Sequence, residues 1–564
     1  MLELILFCVL SSFSYFSAGE IFLKKIINFQ IDPIISIIFG ILVIGFLGLF
    51  LIFFFPLNLF VNTIVFILLF IYFFWDLYKN KIDKKKLILN ILVISSITSV
   101  VLILSNVNRP DAGLYHLPFT KLLNEYKIIL GASNIHFRFG HTSLIQYSNA
   151  ANYNILFKEK GILIPQGLLI ISIIYYFGAK IFEYYKKNLD LNFILLFFCF
   201  VFSILNYNRY SSFGNDAGAN LLFILLIYET FNLLKKKITE HDIFFLSFIS
   251  LFCFSLKSFF ILSFIIPFLI FFYFQRKNFF LIIKSKKTLV LFILILILII
   301  KNVFISGCII FPAKITCIKN LSWYNDKSTT REEIMAEAWS KDWINSDKSL
   351  TPKEYSQNFN WFKTWSDNHA DIIIKKSILF LFIIFFFMVY AFVSSKKKFK
   401  SELNNEKVFI ILIVVSLMSL FIWFIKFPLY RYGSGIIGGN LILFSTYFLS
   451  KLNSNIPKKI FSFFFIILII GILAKNFIRI FKNIDSNYFQ YPWPKMYSLT
   501  DPINKLDVNN FTKYNLNGKF MFYTAKDGYC MYGPTPCTYY IDKDIIKKNK
   551  YNYNIYFIKS VNNK

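Results

Sequence analysis

Residues 291–300 read Leu-Phe-Ile-Leu-Ile-Leu-Ile-Leu-Ile-Ile, the centre of an apolar run that extends from 288 to 305. Polar residues do not alternate with the apolar ones, which excludes a transmembrane β-strand, a segment of about ten residues that turns every second side chain toward a polar lumen. At a rise of about 1.5 Å per residue, a helix of this length covers most of a hydrocarbon core of roughly 30 Å. The stretch predicts a membrane-spanning helix.

Similar runs recur along the chain, near 1–19, 33–55, 57–75, 87–105, 162–180, 191–206, 217–233, 243–256, 259–275, 288–305, 374–393, 407–425, 433–450 and 460–476. Between the eighth and ninth, the polar break at Ser255, Lys257 and Ser258 reads either as a tight turn or as an interruption of one long helix. The first run carries no basic residues ahead of it, and Lys24 and Lys25 follow it, so it reads as a retained helix with its N-terminus outside. Of 564 residues, 56% are hydrophobic and 20% aromatic, a composition that places the chain among membrane proteins.

The formal charge of +30 does not point to nucleic acid, because the lysines sit in short loops between apolar runs. Lys24 and Lys25, Lys84 to Lys86, Lys235 to Lys237, Lys284 to Lys287 and Lys396 to Lys398 fall in every second loop, the positive-inside pattern. The long polar segments then share the opposite, outer side. The expected fold is an all-α polytopic bundle of about fourteen helices with a small C-terminal extramembrane α/β or β-rich domain. Its parts are four N-terminal helices (1–105), a first large outer loop (106–161), helices five to ten (162–305), a Trp-rich outer loop (306–373), helices eleven to fourteen (374–476) and the C-terminal domain (477–564). Two cysteine pairs fall on the outer side, Cys308 with Cys317 and Cys530 with Cys537, each spaced to close a short disulfide loop or to remain as thiols. Gly533, Pro534 and Pro536 supply a turn between the second pair.

Candidate chemistry gathers in the outer segments. Asp111, in the stretch from Asn108 to Pro118, stands just beyond the fourth helix and is followed by Tyr115 and His116. A carboxylate at the rim of a membrane-facing cavity suits a general base that takes a proton from an attacking hydroxyl; the alternatives are a helix cap or a pair with Arg109. The Phe119 to Leu130 segment has helical spacing suited to the membrane surface. His116, His136 and His141 share this loop, yet their spacing matches no zinc signature, which favours hydrogen bonding to a phosphate or sugar hydroxyl over a metal.

Asp216, beyond Asn206, Arg209, Tyr210, Ser211 and Ser212, is a second carboxylate at the same membrane level, as a site group or as a helix cap. Arg431, among Lys426, Pro428, Tyr430 and Tyr432, lies where a lipid phosphate would sit and can grip it with two parallel hydrogen bonds, or snorkel there as an interfacial residue. Lys257 is a second candidate for the same duty. Trp323, Trp339, Trp343, Trp361 and Trp365 suit sugar stacking or interfacial anchoring. No P-loop, dinucleotide fingerprint or Ser/His/Asp nucleophile motif is present.

Several short motifs together carry a resemblance: Pro110-Asp111 running to Tyr115-His116-Leu117-Pro118, Phe139-Gly140-His141-Thr142-Ser143-Leu144, Asn302 to Gly307 leading to Phe311-Pro312, and Cys530 with Pro536-Cys537-Thr538. In these the chain resembles an uncharacterised family of bacterial polytopic inner-membrane proteins that is itself similar to GT-C-type glycosyltransferases. The resemblance implies a polyprenyl-phosphate-linked sugar donor and a catalytic acidic residue at Asp111; the positive-inside pattern puts the C-terminus on the periplasmic face. Asp111 is followed by Ala112 and Gly113 rather than by a second acid, which leaves a divalent metal cofactor undecided, and four runs precede it where that superfamily has one.

The expected function is sugar transfer from a lipid carrier to a cell-envelope acceptor, with Asp111 and His116 catalytic and Tyr115, His141, Asp216, Lys257 and Arg431 binding substrate. The alternatives are a polysaccharide polymerase or ligase, a lipid or glycolipid transporter, and a non-enzymatic envelope assembly protein.

Overall fold

The computed structural model describes residues 2–29, 32–79, 83–103, 110–141, 143–186, 190–207, 213–233, 236–394, 406–451, 457–483, 508–516 and 520–558. Each of the fourteen apolar runs is helical. Among the described residues, however, nine helices are both long and apolar enough to cross a membrane: Leu2–Ile26, Pro33–Leu51, Leu59–Lys79, Lys84–Ile103, Lys158–Tyr185, Lys286–Ser306, Phe362–Ser394, Lys407–Lys426 and Lys458–Ile478. That bears out a mostly helical, multi-pass chain, with five of the fourteen runs falling short of that length or hydropathy. Four of the remaining runs, Leu191–Asn206, Asp216–Asn232, Glu240–Leu256 and the Ser258–Phe274 pair of short helices, have 17 residues or fewer. The fifth, Tyr430–Lys451, is long but rich in Gly, Ser, Thr and Asn.

These shorter and more polar helices occupy the centre. Leu191–Asn206 and Asp216–Asn232 are buried along nearly their whole length, whereas Lys286–Ser306 and Lys458–Ile478 lie at the periphery with apolar faces exposed. A central helix needs small residues more than hydropathy, because its neighbours approach its backbone. On Tyr430–Lys451, Gly435 lies against Asn220 of the Asp216–Asn232 helix, where a Cβ would meet the Asn220 backbone at 2.6 Å.

The polar break at Lys257 is a tight turn. Lys257 is extended (φ −150°, ψ 116°), the chain re-enters as a 3₁₀ segment at Ser258–Phe264, and the Ser250 hydroxyl donates to the Ser263 carbonyl across the pair at 3.1 Å. The turn leaves Lys257 at the end of the bundle where Asp216 starts its helix.

In the first outer loop, a π-helical turn at Ala112–His116 leads into a helix at Leu117–Glu125. This helix does not lie free on a membrane surface. Leu117, Phe119, Leu122 and Leu123 are buried, and it packs on the Leu144–Ala151 helix, which starts with a capping box of Ser143 and Gln146. The Asn124 side chain donates to the Ala150 carbonyl at 2.9 Å, and Leu57 N–H donates to the Leu123 carbonyl at 3.0 Å.

The C-terminal segment forms two antiparallel hairpins, β1 (Phe511–Leu516) with β2 (Phe520–Ala525) and β3 (Ile545–Lys550) with β4 (Tyr553–Ile558). Disulfides join Cys308 to Cys317 and Cys530 to Cys537. The segment starts later than position 477, since the last helix runs to Asn483, and it is seated on the first outer loop. Met531 N–H donates to the Gly113 carbonyl at 2.9 Å, Tyr556 N–H to the Leu130 carbonyl at 2.9 Å, and the Tyr532 hydroxyl to Asn124 Oδ1 at 3.0 Å. A Cβ at Gly113 would meet the Met531 sulfur, so the two segments are in close contact there. The disulfide loop between the hairpins thus braces the turn that follows Asp111.

Candidate functional site

Five segments far apart in sequence meet around one cavity of about 320 Å³, at the low end of the roughly 300–1,000 Å³ range of small-ligand sites. The turn at Ala112–His116 brings Asp111, the start of Asp216–Asn232 brings Asp216, the polar turn brings Lys257, the start of Tyr430–Lys451 brings Arg431, and the Asp326–Ser340 helix of the Trp-rich loop covers them with Trp339.

The carboxylates and cations are interleaved. Arg431 Nη1 donates to Asp111 Oδ2 at 2.7 Å, and Arg431 Nε lies 3.9 Å from Asp216 Oδ2. Lys257 Nζ donates to Asp216 Oδ1 and stands 3.3 Å above the Tyr432 ring. The Arg431 guanidinium is flanked by the rings of Trp339 and Tyr432, 5.3 and 5.1 Å away, in cation–π contacts. Its backbone is fixed by Asn220, whose amide donates to the Arg431 carbonyl (3.1 Å) and to the Asp216 carbonyl (2.7 Å) and accepts from Gly435 N–H (2.7 Å). The turn just before it is tied to the Trp-rich loop: Trp365 Nε1 donates to the Pro428 carbonyl at 2.7 Å and Lys426 pairs with Glu337 at 3.0 Å.

Burial works to raise the Asp111 carboxyl, but the charge and hydrogen bond of Arg431 outweigh it and hold the carboxyl below its ordinary value. Asp111 takes the N-cap position of its π turn without making a cap bond, so the cap role is not the one it plays. Asp216 stands in the first turn of its helix, where the helix dipole favours an anion, and also faces two cations. Lys257 is lowered to about 8, because burial outweighs the attraction of Asp216.

The three loop histidines diverge. Burial lowers His116 to about 4 and His136 to about 3, so both are neutral near pH 7. Gln146 Oε1 accepts from Ser143 N–H, which turns its Nε2 toward His116 Nδ1 at 3.1 Å as a donor. His116 is therefore the Nε2–H tautomer, and in this state its remaining capacity is to donate; it lines the cavity but is not placed as the base. His136 Nδ1 accepts from Arg138 N–H at 3.1 Å. His141 Nε2 lies 3.3 Å from Glu332 of the covering helix, which also pairs with Arg138 at 3.6 Å.

The donor set does not fit a divalent ion. Each cavity carboxylate already faces a protein cation, and among the described residues no three His, Cys, Asp or Glu side chains converge as a metal cage.

All the residues singled out from sequence for binding or catalysis, Asp111, Tyr115, His116, His141, Asp216, Lys257 and Arg431, line this one cavity. The pair with Arg109 and the residues Asn108, Thr142, Arg209, Tyr210, Ser211 and Ser212 lie outside the described residues, as do Lys235 and Lys396 to Lys398. Of the five loop tryptophans only Trp339 reaches the cavity; Trp361 and Trp365 build a small core with Tyr355, and Trp323 Nε1 donates to the Val303 carbonyl at 2.9 Å.

Sequence reading passed over Arg138, Glu332 and Lys301. Lys301 was legible, since it interrupts the very run quoted first, and a buried charge within a span is a functional-site signal. Arg138 carried a weaker signal, the use of arginine in a chain where lysine is far commoner. Nothing in the sequence links Glu332 to it.

The chain belongs to the family described as Domain of unknown function (DUF8201), which matches residues 1–438 and so includes Asp111, Asp216, Lys257 and Arg431. No curated protein and no solved structure matches it.

Proposed function

We propose that this protein is a GT-C-like membrane glycosyltransferase that moves a sugar from a polyprenyl-phosphate carrier to a hydroxyl of a cell-envelope acceptor, with Asp111 as general base. The observation that carries this reading is the direct contact of Asp111 with Arg431, 320 residues apart, at a cavity lined by Arg138, Lys257, Lys376 and Arg431 against two carboxylates. That balance suits an anionic ligand, and a guanidinium beside a carboxylate supplies a phosphate grip and a proton acceptor a few ångströms apart.

In the proposed step the acceptor hydroxyl gives its proton to Asp111 as its oxygen bonds to the anomeric carbon. The bond from that carbon to the phosphate oxygen breaks, and the lipid phosphate leaves with the electron pair, its charge met by Arg431 and Lys257. His116 Nε2–H donates to an oxygen of the bound sugar phosphate, Tyr115 and His141 line the sugar pocket, and Asp216 orients both cations. The bacterial inner membrane is the proposed location, with cavity and C-terminus periplasmic. Support comes from the two disulfides near the cavity and from Lys84 to Lys86 and Lys284 to Lys287 at the opposite ends of their helices. An open, charged cavity also favours this reading over an assembly protein, for which a closed bundle would suffice.

The test is transfer of labelled sugar from polyprenyl-phosphate donor in membranes carrying Asp111→Asn. Loss of about 100-fold or more with normal protein abundance is expected; transfer at the wild-type rate would remove Asp111 from the chemistry.

A further inference from the structure

Arg431 faces a carboxylate on each side before any ligand arrives, and its Nη2 reaches only the Tyr432 hydroxyl, at 3.4 Å. Its Nη1 is held by Asp111 at 2.7 Å and its Nε faces Asp216 at 3.9 Å, while Trp339 and Tyr432 flank the guanidinium. A phosphate approaching Arg431 in the plane of its five N–H donors meets the edges those carboxylates already use. Asp216 loses little by yielding, because Lys257 still holds its other oxygen. Asp111 has no second cation among its described ion-pair contacts.

We infer that Asp111 holds the place of a substrate phosphate on Arg431, and that arrival of the phosphate displaces it and frees its carboxylate to act as the base. The inference rests on the transferase reading and adds an order to it: donor first, deprotonation second. With Arg431 drawn to the phosphate, Asp111 loses the guanidinium that suppresses its basicity and becomes a better proton acceptor at the moment a leaving group is in place. Without donor, an acceptor hydroxyl or water at the site meets a carboxylate occupied by an ion pair. The ion pair itself prevents wasteful proton transfer, with no lid required.

This arrangement makes a prediction that a simple acidic catalytic residue does not. Removing Asp111 should strengthen phosphate binding through Arg431, because the two anions compete for one cation. The probe is inorganic pyrophosphate, titrated calorimetrically into the detergent-purified full chain as wild type, Asp111→Asn, Arg431→Gln and the double variant. Asp111→Asn is expected to bind about tenfold tighter than wild type, with the gain absent in the Arg431→Gln background. Asp111→Ser, which also vacates the edge, should behave alike and serves if the Asn variant folds poorly.

Equal or weaker binding by both Asp111 variants overturns the inference, and so does a gain that persists without Arg431, which would reflect net charge alone. Pyrophosphate that binds neither wild type nor the Asp111 variants overturns the phosphate site with it. The transferase reading fails separately, by undiminished turnover in Asp111→Asn, and the titration needs no turnover.

Discussion

The two carboxylates of the cavity stand on different supports, and the contrast indicates which is free to react. Asp216 opens a buried helix, profits from the helix dipole, and faces both Lys257 and Arg431. Asp111 precedes a single π turn in a loop, is held by Arg431, and depends on the C-terminal disulfide loop to brace the residues that follow it. Doubly matched and rigidly mounted, Asp216 is suited to orient cations. Asp111 is suited to change partners. Short π-helical turns recur at functional positions, and this one puts Asp111 and His116 on the same cavity.

The largest effect should separate the two acids directly. Asp111→Asn is expected to lower the turnover number by about 100- to 10,000-fold while lowering donor KM, since Arg431 is freed for the phosphate, whereas Asp216→Asn should raise donor KM by about tenfold through the loosened Lys257 and Arg431. Equal losses of the same kind, in steady-state assays with donor varied, would erase the distinction between them.

A pH titration probes the shared neighbour of both acids. His116 is held near 4 by burial, although Asp111 and Asp216 pull it upward, so in the folded protein it stays neutral where the unfolded chain, near 6.5, takes up a proton. The unfolded state then binds more protons between those values. Stability is full above about pH 6.5 and falls as pH drops toward 4, by about 3 kcal/mol for this group. Melting temperature in detergent should decline through that window, and His116→Gln should flatten the decline; a profile unchanged by the substitution would place the titrating groups elsewhere.

Removing the Cys530–Cys537 link should act on one acid's support alone. Replacing both cysteines by serine is expected to cost about 2 kcal/mol by loosening the short loop that holds Met531 against Gly113. Proteolysis should then cut the first outer loop faster while leaving the Asp216 helix protected. Smallest of all, Trp339→Phe keeps a ring over Arg431 but a weaker one, and should change donor KM about threefold without altering turnover.

Much of this arrangement could be read from the chain. The apolar runs found every long helix because hydropathy reports burial in lipid; of the five that fall short of a full span, four are short and one trades hydropathy for small residues along Gly433 to Asn440. Asp111, Asp216, Lys257 and Arg431 were legible because each polar group sits just past a helix end, which puts all four at one membrane level. Which acid pairs with which cation was not, since that depends on rotamers and on how Asn220 ties two helix starts together. Of the three loop histidines, His116 and His141 line the cavity, whereas His136 turns its Nδ1 to the Arg138 N–H, a difference that spacing alone did not show. The seating of the hairpins was also hidden, as backbone hydrogen bonds from Met531 and Tyr556 leave no side-chain pattern to read.

That seating has a consequence for how the protein is made. The residue that bonds to Gly113 is Met531, so the turn beside Asp111 receives this strut only after more than four hundred further residues have been synthesised and delivered to the cavity side. A chain cut short before Met531 would insert its helices and assemble Arg431 beside Asp216, yet leave the turn after Asp111 without its Met531 strut. Completion of translation would in this way be a condition for a finished site, and interrupted products would remain inert in the membrane.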